Sequence, residues 1–164
     1  MKSTEKAAAR VLDRTDRRLL ARLQEDGRVP VAKLARELQL SVTPCLERVR
    51  RLEADGYILG YHALLSPLQL GQHLLAYVQV GLDRTTPEVF ERFKSAMEAL
   101  DAVQECHMVA GGFDYILKIR VRDMHEYRKI LSGDIASVRG VHQTHTYFVM
   151  EEVKASNRLR VPRG

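Results

Sequence analysis

The tightest constraint on this chain lies between Val31 and Gly56, where two helical patterns follow each other across a break too short for anything but a turn. Val31, Leu34, Ala35 and Leu38 recur at the spacing of one helix face and give a helix of about two turns, too short to stand without neighbours. Gln39 and Leu40 interrupt the pattern. Ser41 or Thr43 can then cap a further helix, and Pro44 falls in its first turn, where a missing N–H is no loss. Leu46, Val49 and Leu52 face inward, and Glu47, Arg48, Arg50 and Arg51 face outward until Gly56 ends the helix. Ahead of both, Leu12, Leu19, Leu20 and Leu23 share a face between Leu12 and Asp26, with Asp13 able to cap the start and Gly27 able to end it. A short helix, a tight turn and a longer arginine-bearing helix make a helix-turn-helix at about 31–55, inside a three-helix domain, winged or plain, of residues 1–60.

Such a unit has a physical use, because the major groove of DNA admits one α-helix. Its first turns meet base edges, and basic side chains farther along meet phosphates. Ser41, Val42, Thr43 and Pro44 would enter first; hydroxyls serve several base edges and Val42 can touch a thymine methyl, which suits sequence-tolerant reading. Arg48 and Arg51, three apart, share a side that can reach phosphates or guanines, with Arg50 beside them. A single arginine on a helix is usually a solvated face. The conjunction of short helix, turn, capped helix and basic excess is what points to double-stranded DNA. Charge placement agrees: residues 1–60 hold 13 Lys and Arg against 9 Asp and Glu, residues 61–150 hold 9 against 10, and the tail 151–164 holds 4 against 2.

After Gly56, Tyr57–Tyr61 reads as a strand and Ser66-Pro67 breaks it, so 61–70 is expected to be a β-hinge. From 71 to 150 the order is strand (His73–Leu82), helix opened by Thr86-Pro87, strands Val103–Ala110 and Asp114–Arg122 joined by Gly111-Gly112-Phe113, helix from Asp123, and strand Val141–Met150. This βαββαβ order is the ferredoxin-like arrangement, giving an α+β chain with a basic tail from 151. Its two helices cover one sheet face. The other carries apolar residues, among them Leu75, Tyr77, Val109, Ile116, Tyr147 and Val149, and is expected to pair with a second copy; which alternate set meets the helices stays open.

Catalytic chemistry is absent as a pattern: no phosphate loop, dinucleotide fingerprint or Gly-x-Ser-x-Gly is present. His142 and His145, three apart on a strand, point to opposite faces, and the two cysteines, Cys45 and Cys106, make neither a metal set nor a disulfide framework. Cys45 is expected to be buried. No catalytic residue, metal or cofactor is expected. Met1–Arg10 lacks the apolar core of a signal peptide and no run of about 20 apolar residues occurs, so a cytoplasmic protein without a membrane partner is expected.

The run Thr43-Pro44-Cys45-Leu46-Glu47-Arg48-Val49-Arg50-Arg51-Leu52-Glu53, with Leu12-Asp13-Arg14 ahead of it, resembles the DNA-binding domain of the Lrp/AsnC family of regulators. Gln104-Glu105-Cys106-His107, Phe113-Asp114-Tyr115, Tyr127-Arg128-Lys129, Tyr147 to Val153 and Ser156-Asn157-Arg158-Leu159 resemble its second domain. The resemblance implies a nucleoid-associated regulator, activator or repressor, of amino-acid metabolism genes, which dimerises and assembles into octamers or similar particles that wrap DNA. It also implies an amino-acid effector, leucine first, bound between subunits. The family's Gly-x-x-Asp-Tyr element falls on Gly111, Asp114 and Tyr115. Gly112 can also approach a small zwitterion, and Met108, Met124 and Tyr147 can wall its side chain or simply fill core. Many members carry glycine where this chain has Gln39, so a left-handed backbone there would cost about 1–2 kcal/mol. The alternatives are a DNA-wrapping chromosome organiser with little effector response, and a small enzyme or enzyme regulatory subunit.

Overall fold

A computed structural model describes residues 11–162; the reading of Met1–Arg10 as no signal peptide lies outside the described residues. Two compact units are present. One takes in the described residues up to Leu64 together with those from Ser156 onward, and the other is Leu65–Ala155. The tail beginning at 151 is thus divided between them.

In the first unit, α1 is Arg14–Glu25, α2 Val31–Glu37 and α3 Val42–Ala54. Asp13 caps α1 in a reciprocal box: its Oδ1 accepts from the Asp16 N–H at 2.7 Å, and the Asp13 N–H donates to Asp16 Oδ2 at 3.4 Å. The helix closes on Asp26, whose N–H donates to the Arg22 carbonyl, one residue before the expected Gly27. Ser41 takes the N-cap position of α3, and Thr43 lies inside the helix. Leu19, Leu34, Ala35, Leu38, Cys45, Val49 and Leu52 are buried together. Arg22 Nε meets Glu37 Oε2 at 2.8 Å, and Arg18 Nη2 donates to the Glu37 carbonyl at 3.0 Å, tying α1 to the end of α2.

The turn between α2 and α3 does place Gln39 at φ 58, the one non-glycine positive φ among the described residues. Left-handed backbone brings Cβ against the following carbonyl, at about 1–2 kcal/mol. Gln39→Gly is therefore expected to stabilise the chain by about 1 kcal/mol, part of the relief being offset by glycine's extra unfolded-state freedom. Denaturant titration checks this; an unmoved midpoint would contradict it.

Two expectations need correction. Tyr57–Tyr61 is not a paired strand, because the Tyr57 and Ile58 N–H groups are drawn to the Leu52 carbonyl (2.9 and 3.2 Å) to finish α3. The 61–70 hinge is not β structure either; Ser66 to Gln72 is folded back by turn bonds such as Gln72 N–H to the Pro67 carbonyl at 2.8 Å.

The second unit has β1 Leu74–Leu82, α4 Pro87–Glu98, β2 Val103–Met108, β3 Tyr115–Val121, α5 Met124–Ile130 continuing into a π-helical turn Leu131–Ile135, and β4 Val141–Phe148. The strands form one sheet in the order β2-β3-β1-β4, with every neighbour antiparallel. Asp123 caps α5 by accepting from the Glu126 N–H at 2.9 Å. Cross-strand register settles the faces: Ala76, Val78 and Val80 stand opposite Ile119, Leu117 and Tyr115. This set is buried with Phe93 and Met97 of α4, Tyr127 of α5 and Ile135. Tyr77, Gln79, Ile116, Lys118 and Tyr147 occupy the other face. That face is less apolar than alternation suggests, since Lys118 pairs with Glu105 at 2.8 Å and Arg120 with Glu152 at 2.6 Å.

Candidate nucleic-acid interface and effector site

Helix α3 buries Cys45, Val49 and Leu52 and turns its opposite side outward. Thr43, Glu47 and Arg50, at i, i+4 and i+7, form the row farthest from the core, with Ser41, Val42 and Pro44 exposed at the leading end. Arg50 has no ion pair among the described residues. Glu47 is exposed in the same row as Thr43 and Arg50, although it was not among the residues expected to meet DNA. A carboxylate there can accept from a cytosine amino group.

Arg48 and Arg51 do not stand in that row. Arg48 Nη1 lies 2.5 Å from Asp13 Oδ2 and 2.7 Å from Asp16 Oδ1, and Arg51 Nη2 lies 3.0 Å from the same Asp16 oxygen. Asp16 is the buried charge of this unit, 3% exposed. Both guanidinium groups are thus held by carboxylates of α1 and tie α3 to it, a pairing that competes with the expected reach to phosphates or guanines. Burial works against ionisation of Asp13, but hydrogen bonds from the Asp16 backbone and the Arg48 guanidinium hold its carboxyl below the ordinary value. Bonding to Asp13 and then Asp16 raises Arg48 further above its already high value.

In the second unit, Gly111-Gly112-Phe113 lies between β2 and β3. Asp114 fastens this loop three ways: its N–H donates to the Val80 carbonyl at 3.0 Å, its carbonyl accepts from Val109 at 2.9 Å, and its Oδ2 accepts from the Leu82 N–H at 2.7 Å. Gly111 and Gly112 are exposed, neither takes a positive φ, and a Cβ on either would meet nothing within 4 Å. Nothing within the chain demands glycine at these two positions.

The remaining effector candidates are dispersed within one chain. Met108 pairs with Tyr115 and so lies on the helix side of edge strand β2, whereas Tyr147 pairs with Tyr77 on the open side of β4, the opposite edge. Met124 starts α5, a strand length of about 20 Å from the glycine loop. Strand order and side-chain alternation therefore keep the three from forming one wall in a single chain. Tyr115 lies on the helix side of β3 with Leu117 and Ile119. Its ring is fully buried, 4.6 Å from Phe93 and 6.2 Å from Phe90, and its hydroxyl has no hydrogen-bond partner. Burial pushes its phenol up from the ordinary value. Tyr115→Phe removes an unmatched buried hydroxyl and is expected to stabilise the chain by up to about 1 kcal/mol without changing effector affinity. A weakened effector isotherm for this variant would return the hydroxyl to the site.

Among the described residues no group of three or more His, Cys, Asp or Glu could hold a metal, and no helix is long and apolar enough to cross a membrane. An AsnC-type helix-turn-helix domain matches residues 12–53, and an Lrp/AsnC ligand binding domain matches residues 75–159. The chain belongs to the Lrp/AsnC family. It is an amino-acid-responsive DNA-binding transcription regulator, and its relatives are regulators rather than enzymes. Leucine-responsive regulatory proteins from Klebsiella pneumoniae and Escherichia coli are each 52% identical over 159 residues, 97% of either chain. A Neisseria meningitidis transcriptional regulator solved as an L-Met complex superposes with a TM-score of 0.88 at 32% identity, over 92% of this chain and 97% of that one. The Lrp/AsnC architecture of helix-turn-helix plus ferredoxin-like α+β domain is thus present throughout.

Proposed function

We propose that this regulator responds to leucine or a closely related aliphatic amino acid, bound at the Gly111–Asp114 loop where two copies meet. The single observation that carries the reading is the unexplained pair Gly111 and Gly112: with no backbone or packing reason inside the chain, their bareness fits close approach by something outside it. Asp114 Oδ1 has no partner among the described residues and suits an ammonium group. Met108, Met124 and Tyr147, dispersed in one chain, can approach a common ligand only if a second copy supplies some of them. Tyr115 supports the loop from below through its buried ring. The relatives' names and the L-Met complex favour a hydrophobic amino acid.

On the DNA side, Ser41, Val42, Thr43, Pro44, Glu47 and Arg50 enter the major groove, with Arg48 and Arg51 as braces. The open sheet face, with Tyr77, Ile116 and Tyr147, serves the dimer, and dimers gather into an octamer or similar particle at the nucleoid. Calorimetric titration with each amino acid, read beside particle mass by light scattering, tests this. Saturable heat with leucine, isoleucine, valine or methionine is the expected result; flat traces for all twenty would reject the effector reading.

A further inference from the structure

The returning tail makes a charged groove that the recognition helix does not use. Gln24 grips the Leu159 backbone from both sides, its Nε2 donating to the carbonyl at 3.0 Å and its Oε1 accepting from the N–H at 2.7 Å. This lays Arg158 to Pro162 along α1 and encloses a groove of about 920 Å³. Arg14, Arg17, Arg18, Arg158 and Arg160 line it, against one acidic side chain, Glu25. Arg18 donates to the Glu37 carbonyl, while the guanidinium groups of Arg14, Arg17, Arg158 and Arg160 have no hydrogen bond or ion pair to any described residue. Like charges gathered without counter-charges repel, and planar guanidinium forks match phosphate oxygens.

We propose that this groove binds the sugar-phosphate backbone of duplex DNA flanking the stretch read by α3. The proposal rests on the DNA-binding reading above. Arg14, Arg17, Ala21 and Glu25 lie on the side of α1 away from its buried Leu19, so groove and recognition helix are occupied together rather than in competition. From Arg14 to Glu25, α1 rises roughly 16 Å, which spans about five phosphates of one strand at ~3.4 Å each. Occupant and partner are one molecule: a duplex docked on α3 carries a dense row of phosphates past the same helical unit, whose α1 and returning tail line the groove. The contacts carry no base information, so they extend the footprint and leave preference alone.

The test is the salt dependence of duplex binding by the full chain, comparing parent, Arg158→Ala/Arg160→Ala, Arg14→Ala/Arg17→Ala and Arg50→Ala on a duplex longer than the recognised site. Each groove pair is expected to lower the log–log salt slope by about 2 and to weaken binding at 0.1 M salt by a few tens of fold, at about eightfold for each phosphate left unmatched. Base preference should stay as in the parent. Arg158→Lys/Arg160→Lys should keep the slope, which separates charge from tail folding. Parent-like slope and affinity in both alanine pairs would overturn the groove alone. A parent that binds no duplex at any salt would overturn the groove and the DNA-binding reading together, and a slope lost equally in the lysine variant would reject phosphate contact in favour of a purely structural tail.

Discussion

Replacing Asp16 with alanine is expected to destabilise the helical unit by about 2–3 kcal/mol, and to weaken DNA binding by displacing the recognition helix. The Asp16 carboxylate is almost wholly buried and receives both Arg48 and Arg51, while its backbone and side chain complete the α1 cap with Asp13. Breaking a buried ion pair from one side usually costs ~3–5 kcal/mol because the partner is left charged and unmatched. Here the arginine side chains are 27% and 31% exposed, so water recovers part of that loss and the lower figure applies. Denaturant unfolding measures it, with a loss below about 1 kcal/mol marking the clamp as a surface ornament. The same geometry separates the arginines of α3 by their salt behaviour. Arg48→Ala should weaken binding through stability with no change in salt slope, because its guanidinium is already committed to carboxylates. Arg50→Ala should lower the slope by about 1 if it meets phosphate. Asp13, held below its ordinary value of 3.8, supports the clamp fully above that value and loses its share as pH falls through the lowered one.

The second large effect is expected at the glycine loop. Gly111→Ala/Gly112→Ala should fold within about 0.5 kcal/mol of the parent, since no strained φ and no neighbour opposes a Cβ. Effector affinity should nevertheless fall at least tenfold, because two methyl groups then stand where the zwitterion approaches. Asp114→Ala should abolish the response outright and also cost about 1–2 kcal/mol, as the Leu82 N–H loses the carboxylate that accepts it. The pairing matters: the glycine variants report the ligand alone, and the aspartate variant reports ligand and scaffold. Unchanged isotherms in stably folded glycine variants would move the effector site elsewhere.

How much of this was legible depended on range along the chain. The helix-turn-helix and the βαββαβ order follow from periodicity and caps, which are local, while Gln39 is marked as a left-handed candidate by the family resemblance, in which many members carry glycine there. The roles of Arg48 and Arg51 were not legible within α3. Their partners, Asp13 and Asp16, lie more than thirty positions earlier, and of the two only Asp13 stood out, as a cap of α1. The tail docking on α1 joins Gln24 and Leu159 across 135 positions, beyond any pattern a linear reading can use. Alternation along β3 places Tyr115 on one face with Leu117 and Ile119, and the register shows that this face meets the helices. For Tyr57 to Tyr61, β-propensity gave way to the need of the α3 carboxyl end for donors.

The central claim is that one chain couples a braced DNA-reading helix to an amino-acid site, and a duplex-affinity titration across rising leucine concentration tests it most directly. Binding of ligand to a preferred assembly must shift DNA affinity, typically by about 5–150-fold, and DNA must shift leucine affinity by the same factor. That reciprocal shift, lost in Asp114→Ala, is the predicted result. A DNA Kd that stays constant for leucine, isoleucine, valine and methionine alike, with particle mass also unchanged, would contradict it.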